Sequence, residues 1–301
     1  MRELVVISGK GGTGKTSLTA ALAYFAENKV LCDADVDAAD LHLILNPAPR
    51  VTTDFMGGGL AVIDEARCTQ CGTCRELCRF DAIGPDFKVD DIGCEGCGVC
   101  VDLCPEGAVD FPTKCCGQWF ISDTEQGPMV HARLGIAEEN SGRLVTLVRK
   151  EARELAEKEH KELIITDGPP GVGCPVIAAI GGATALLIVT EPTVSGRHDM
   201  ERVVDLAAHF KVPAMVCVNK YDLNPEQTED IETLAAARNI GIVGRIPFDP
   251  VFNQAMIQGK SVPEYRPDAP AAKAMAEIWE NVMGSSAMNR FGIKDFRENI
   301  N

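Results

Sequence analysis

Two stretches of the chain hold residue types at spacings that a specific chemistry demands. Gly9-Lys-Gly-Gly-Thr-Gly-Lys-Thr16 satisfies G-x-x-x-x-G-K-[ST] in full. Glycines in such a loop let backbone N–H groups turn toward phosphate oxygens. Lys15 is expected to reach the β- and γ-phosphates of a nucleotide, and Thr16 to ligate Mg²⁺. The candidate phosphate-binding residues are Gly9, Lys10, Gly11, Gly12, Thr13, Gly14, Lys15, Thr16 and Ser17. The second stretch is Cys68-x2-Cys71-x2-Cys74-x3-Cys78, repeated 26 residues on as Cys94-x2-Cys97-x2-Cys100-x3-Cys104. Close spacing lets three thiolates cap one face of an iron–sulfur cubane; zinc is the other metal that four thiolates serve.

Each stretch needs elements to hold it. Leu4 to Ile7 reads as a buried strand, and Ser17 to Ala26, rich in Ala and Leu, as a helix. The phosphate loop then sits at a helix N-terminus, whose dipole favours anions. Val30 to Cys32 is a second short strand, so residues 1–60 open a βαβ unit. Residues 61–112 hold the repeat, in which Gly72 aligns with Gly98, Leu77 with Leu103 and Ala82 with Ala108. Repetition of this kind implies two pseudo-symmetric halves. From 113 to 284 the α/β alternation returns. Strands are expected at Leu163–Thr166, Ala185–Val189, Ala214–Val218 and Gly241–Ile246. Helices are expected at Leu144–His160, N-capped by Ser141, at Asp199–Phe210 and at Ala271–Met283. Continuous apolar strands separated by helices indicate a parallel sheet covered on both faces. Residues 285–301 read as a C-terminal tail.

Lys10, directly after the first glycine, resembles the deviant Walker A motif of the MinD/ParA/nitrogenase iron protein class. The resemblance implies an ATP-dependent homodimer in which this lysine reaches into the partner subunit; otherwise Lys10 is an ordinary exposed lysine. Two further segments fit that class. In CDADVDAADL the similarity puts Asp35 where the family positions the attacking water, with Asp33 beside it, while Asp37 and Asp40 read as a solvated acidic loop. In LIITDGPPGVG it makes Asp167 a Walker B carboxylate near Mg²⁺, with Gly168 and Gly171 letting the loop move as a switch. The base pocket leaves two readings open. Asn219 can pair with N6 and N7 of adenine, and Ile246-Pro247-Phe-Asp-Pro250 resembles the second base-contacting segment of MinD-like ATPases. Asn219-Lys220-Tyr221-Asp222 also matches the N-K-x-D pattern by which GTPases read guanine. ATP is preferred because the phosphate loop is the longer match.

The paired cysteine runs resemble bacterial ferredoxins, in which the fourth cysteine of each run ligates the other cluster. The implied ligand sets are Cys68, Cys71, Cys74 and Cys104 for one 4Fe–4S cluster, and Cys94, Cys97, Cys100 and Cys78 for the other. Arg79 stands after Cys78 where the pattern has proline, and is expected to raise the potential of the cluster Cys78 serves. Cys32 and Cys217 fall in apolar strands and read as core residues. Cys115 and Cys116 read as loop thiols. Cys174 follows Asp167 at a distance similar to that of a cluster-ligating cysteine in the nitrogenase iron protein. Two readings are open: Cys174 with Cys115 or Cys116 binds a third cluster or a transferred metal across the dimer, or Cys174 is a small core residue.

Together these features resemble the MinD-superfamily P-loop ATPases that carry an inserted ferredoxin domain, over about residues 1–284. The implied fold class is α/β: a P-loop NTPase with a parallel sheet covered by helices, built from 1–60 and 113–284. An α+β bacterial ferredoxin-like module is inserted at 61–112. His131–Gly135 with Glu138–Gly142 also resembles that family's linker. The implied ligands are ATP, Mg²⁺ and two 4Fe–4S clusters. Three purposes are then open: a slow, partner-dependent ATPase whose dimer switch governs electron transfer, an Mrp-like ATPase of iron–sulfur or metallocofactor assembly, and a MinD-like spatial regulator with redox-sensing clusters. The complete ferredoxin ligand sets favour the first, with a protein redox or assembly partner.

Composition narrows the partners. A net charge of −15, with no basic stripe, argues against a phosphate-backbone binder, and 5% aromatic residues against a base-stacking surface. Nucleic acid is therefore not an expected partner. Residues 61–112 hold 11 Asp/Glu against 4 Lys/Arg, net −7. That charge suits a basic redox partner, although it is also ordinary for a small ferredoxin-like module. Thirteen cysteines in a chain that opens MRELVVISGKGG, without a secretory signal, point to metal and to the cytoplasm. The apolar run Pro175 to Thr190 is interrupted by Gly181 and Gly182 and is too short to span a membrane.

Overall fold

The computed structural model describes residues 1–135 and 141–289. Its strands are β1 (Arg2–Ser8), β2 (Lys29–Asp33), β3 (Ala48–Gly59), β4 (Val62–Ile63), β5 (Val109–Asp110), β6 (Thr113–Thr124), β7 (Gly127–Leu134), β8 (Leu163–Pro170), β9 (Ala185–Thr190), β10 (Ala214–Asn219) and β11 (Gly241–Ile246). One sheet runs in the order β11-β10-β9-β1-β8-β2-β7-β6-β3, and β4 pairs with β5 in a separate antiparallel ribbon. From β11 to β7 every neighbouring pair is parallel. The carboxyl ends of these strands therefore share one rim, which is where an open α/β sheet offers its binding crevice.

Period-two alternation explains why the central strands read as unbroken apolar runs. Leu4, Val6, Leu31, Ile165, Leu187 and Met215 join one core with the helices Lys15–Phe25 and Pro270–Gly284. Their alternates Val5, Ile7, Val30, Ile164, Ile188 and Val216 are equally buried and point to the opposite face. There the helix Ser141–Lys158 packs on β2 and β8. A buried ion pair fixes that helix: Arg149 Nε and Nη2 donate to the two carboxylate oxygens of Glu3 at 2.8 and 2.9 Å.

The expected strands and helices recur with modest shifts in their ends. Gly241–Ile246 has the expected bounds, and the strand expected at Leu163–Thr166 runs on to Pro170. The helix expected from Asp199 starts earlier, at Val194, because Thr193 Oγ1 accepts the Gly196 N–H at 2.9 Å and caps it. The Ser141 side chain and the linker residues 138–140 lie outside the described residues.

The sheet is not wholly parallel. β6 and β7 form a hairpin whose turn is pinned by Thr124 Oγ1, which accepts the Gln126 N–H at 3.1 Å and donates to Gly127 O at 2.7 Å. β3 lies outside β6, at the sheet edge, and is exposed over most of its length. An exposed edge strand ending in three glycines carries no apolar signature. Packing also continues past Gly284: Ser286–Asn289 is helical and Met288 is fully buried. The rest of the expected tail lies outside the described residues.

Packing divides the chain into two units. The main unit comprises Met1–Thr52, Trp119–Ala132 and the chain from Ser141; the second comprises Thr53–Gln118 and, among the described residues, Arg133–Gly135. Within the second unit the repeat is visible in the backbone. The short helices Thr73–Leu77 and Val99–Asp102 follow Gly72 (φ 86°) and Gly98 (φ 76°), equivalent positions of the repeat, and pack together. Arg67 joins the segments that flank the two cysteine runs, donating to Asp64 Oδ2, Gly107 O and Asp110 Oδ1 at 2.6–2.7 Å.

Candidate functional site

The phosphate loop leaves the carboxyl end of β1 and enters the helix Lys15–Phe25 through Gly14, whose φ is 88°. A Cβ at Gly14 would stand 2.3 Å from Asn219 Nδ2, so both backbone angle and close approach require glycine. The loop lines an open cleft of about 430 Å³ together with Asp35, Pro170, Asn219, Pro247 and Phe248. That volume falls in the range of small-molecule sites. Of the phosphate-loop residues named from sequence, Gly11, Gly12, Thr13, Gly14, Lys15, Thr16 and Ser17 line it. Gly9 and Lys10 are not among its lining residues, and Gly9 packs on Asp199.

The charged centre of the cleft combines groups from the helix Lys15–Phe25, the end of β2 and β8. Lys15 Nζ stands 3.1 Å from Asp35 Oδ2 and 3.0 Å from Asp167 Oδ2. Thr16 Oγ1 donates to Asp167 Oδ2 at 2.8 Å, and Thr19 Oγ1 lies 2.8 Å from Asp167 Oδ1. Asp33 Oδ1 accepts the Asp35 N–H at 3.2 Å, while its Oδ2 has no hydrogen-bond partner. The buried Thr13 hydroxyl likewise has none. Unsatisfied buried polar atoms beside a cleft mark a place for a polar ligand.

These groups shift one another. Burial works against the charge on Lys15, but Asp167, Asp35 and Asp33 outweigh it and hold the ammonium above its ordinary pKa. Burial, reinforced by the neighbouring Asp167 carboxylate, pushes Asp33 well above the usual carboxylate range, with Lys15 opposing. Burial also raises Asp35, again against Lys15.

Lys10 lies outside this centre. Its Nζ stands 2.6 Å from Glu191 Oε1 and donates to Ser195 Oγ at 3.1 Å. Glu191 Oε2 meets Lys220 Nζ at 3.3 Å. Burial opposes the Glu191 charge, yet its bonds to Lys10 and Lys220 keep its pKa below the ordinary value. Asn219, at the end of β10, donates from Nδ2 to Thr13 O at 2.7 Å and accepts the Lys220 N–H at 3.0 Å. One amide hydrogen and one lone pair of Asn219 remain for a ligand. Sequence reasoning missed Thr19, Glu191 and Ser195. Thr19 had a helical i+4 signal from Lys15, and Glu191 follows the end of a buried strand.

In the second unit the eight clustered cysteines divide between two cavities. Cys68, Cys71, Cys74 and Cys104 line one; Cys78, Cys94, Cys97 and Cys100 line the other. Each cavity thus takes three thiols from one run and the last from the other. Backbone N–H groups of Gln70 and Ala108 approach Cys68 Sγ and Cys104 Sγ at 3.4 and 3.3 Å. Among the described residues, no three His, Cys, Asp or Glu side chains converge closely enough to hold one metal ion. Cys32 and Cys217 are fully buried, and burial pushes the Cys217 thiol up to about 12. Cys115 and Cys174 are exposed, whereas Cys116 is buried and bonds to Gly57 O. No helix among the described residues is long and apolar enough to cross a membrane.

The profile of the CobQ/CobB/MinD/ParA nucleotide binding domain family matches residues 4–262. The uncharacterized protein MJ0578 of Methanocaldococcus jannaschii is 34% identical over 225 residues, 74% of this chain and 79% of that protein. The uncharacterized ATP-binding protein MJ0547 of the same organism is 23% identical over 290 residues, 94% of this chain and 88% of that protein. Among solved structures, the septum site-determining protein MinD of Pyrococcus horikoshii, complexed with Mg-ADP, has a TM-score of 0.58 at 20% identity, covering 93% of this chain and 95% of that one. The MinC:MinD cell division complex of Aquifex aeolicus gives 0.57 at 21% identity, with 95% and 97% covered. At these identities the structural likeness concerns the fold.

Proposed function

This chain belongs to the CobQ/CobB/MinD/ParA nucleotide-binding domain family, and from that premise we propose that it is an ATP-hydrolysing dimer switch coupled to iron–sulfur redox chemistry. The observation that carries the reading is the union, in one chain, of a Lys15–Asp35–Asp167 cleft with two cavities of four thiols each.

Lys15, kept charged by its carboxylate neighbours, is placed to meet the β- and γ-phosphates. A nucleotide brings the negative charge that Lys15 otherwise finds in Asp35 and Asp167. Thr16 and Asp167 would hold Mg²⁺, the hydroxyl exchanging its bond to Asp167 for the ion. Asp35, released from Lys15, accepts a hydrogen bond from the attacking water, and Asp33 supports it through the Asp35 backbone N–H. Asn219 braces the phosphate loop and offers its remaining donor and acceptor to adenine; Pro247 closes the base side. Lys10 leaves Glu191 to reach the second subunit.

The donor chemistry supports 4Fe–4S clusters. A cubane takes one thiolate per iron, and four cysteines line each cavity. When bound, such clusters supply one-electron storage at tunable potential. The chain's own contribution is the eight thiolates, the N–H bonds at Cys68 and Cys104, and an acidic exterior that would attract a basic redox protein.

Anaerobically purified protein is expected to carry roughly eight iron and eight acid-labile sulfide per chain. Cys104→Ser and Cys78→Ser should each lower the iron content by up to about half, while Cys174→Ala leaves it unchanged. Zinc without labile sulfide would overturn the cluster assignment, and ATP hydrolysis surviving Lys15→Ala would overturn the catalytic one.

A further inference from the structure

Asn219-Lys220-Tyr221-Asp222 is the motif that the nucleotide reading leaves unexplained. In its guanine-reading use the aspartate faces the base, its carboxylate accepting from guanine N1–H and the N2 amine. Here each polar residue of the motif has another partner. Asn219 Nδ2 donates to Thr13 O at 2.7 Å, and Lys220 Nζ lies 3.3 Å from Gly12 O, so both brace the phosphate loop. Asp222 Oδ1 accepts the Phe248 N–H at 2.7 Å. Asn219, Lys220, Pro247 and Phe248 line the cleft; Asp222 is not among its lining residues.

We propose that Asp222 is a positioning residue of the base wall: its carboxylate fixes the Phe248 amide, holds the Phe248 ring on the cleft, and by facing that amide leaves adenine, not guanine, as the preferred base. This rests on the nucleotide site proposed above. The loop is pinned at its far side too, where Asp249 Oδ1 accepts the Val251 N–H at 2.9 Å. Phe248 is 54% exposed at the mouth of the cleft, a free face for a purine. Stacking on a phenyl ring accepts either purine, so the choice between them falls to the polar groups. The group that would read guanine has its Oδ1 turned to the loop amide.

The test is displacement of a fluorescent ATP analogue from the full-length protein by ATP, GTP and xanthosine triphosphate, in wild type, Asp222→Ala and Asp222→Asn. Wild type is expected to favour ATP over GTP at least about tenfold. Asp222→Ala should weaken ATP about tenfold, the scale of a lost charge-assisted hydrogen bond, without further weakening GTP. Asp222→Asn keeps an oxygen that can accept from Phe248 N–H; it should restore ATP affinity to within about threefold and gain no affinity for xanthosine triphosphate. A guanine-reading Asp222 would give the reverse: wild type preferring GTP, and the Asn variant exchanging GTP for xanthosine triphosphate, whose C2 carbonyl suits an amide donor. That result, or unchanged ATP affinity in Asp222→Ala, overturns the inference alone. Absence of nucleotide binding in wild type overturns the nucleotide site and this inference with it.

Discussion

Lys10 Nζ lies 2.6 Å from Glu191 Oε1 of its own chain, so the lysine that the phosphate-loop pattern would send to a partner subunit is held at home. Glu191 also carries Lys220, which bonds the same loop at Gly12 O. Assembly must break the first contact. An ion pair at this exposure contributes about 0.2–1 kcal/mol. Glu191→Gln is therefore expected to lower the concentration at which ATP-loaded protein dimerises by about threefold, and Lys10→Ala to abolish nucleotide-dependent dimerisation. Analytical ultracentrifugation with and without MgATP measures both. Dimers unaffected by either change would detach Lys10 from assembly.

The crowded carboxylates give the nucleotide-free protein a pH dependence of defined sign. Burial first, and then Asp167, raise the Asp33 pKa, so the folded chain binds more protons there than the unfolded chain. Stability from such a group is fully present below the unfolded value of about 3.9 and is lost as pH rises through the raised folded value. Asp33→Asn removes that proton dependence while keeping an acceptor for the Asp35 N–H. Calorimetry should find that Tm falls with rising pH in wild type and falls less in Asp33→Asn. The separation expected is about 2–4 °C per kcal/mol relieved. Parallel curves would contradict the assignment.

Two glycines of the phosphate loop should differ sharply in their tolerance of alanine. A Cβ on Gly9 would stand 2.3 Å from Asp199 Cβ and 2.8 Å from its carbonyl carbon, whereas one on Gly11 meets nothing within 4 Å. Gly9→Ala is expected to cost about 1–3 kcal/mol of stability, as overpacking does. Gly11→Ala should change stability by less than about 0.5 kcal/mol, as open surface sites do. Urea denaturation of the two variants compares them directly, and equal losses would show that the contact with Asp199 is not what requires glycine.

Much of the fold was legible because burial is written into the strands. Val5–Ile7, Ile164–Ile165 and Leu186–Val189 are buried and contain no polar interruption that would hide them. The phosphate loop announced itself by glycine spacing, and the grouping of Cys104 with the first cysteine run was implied by the resemblance to bacterial ferredoxins. What stayed hidden depends on contacts between distant residues. β3 and β6 are mostly exposed or half-buried and lack sustained alternation. The Lys10–Glu191 pair joins positions 181 residues apart, and Asp222 and Phe248 meet only because β10 and β11 are neighbours in the sheet. The turn at Ser286–Asn289 is short, and only tertiary packing buries Met288.

The central claim, that the nucleotide state governs the redox behaviour of the thiol-lined cavities, is tested most directly by anaerobic redox titration monitored by electron paramagnetic resonance. Wild type and Lys15→Ala are titrated with and without MgATP. The account predicts two 4Fe–4S signals whose potential or rate of reduction shifts with MgATP in wild type and does not shift in Lys15→Ala. Intact clusters with identical titrations in all four samples would contradict it, and would leave the ATPase working in cluster or metallocofactor assembly.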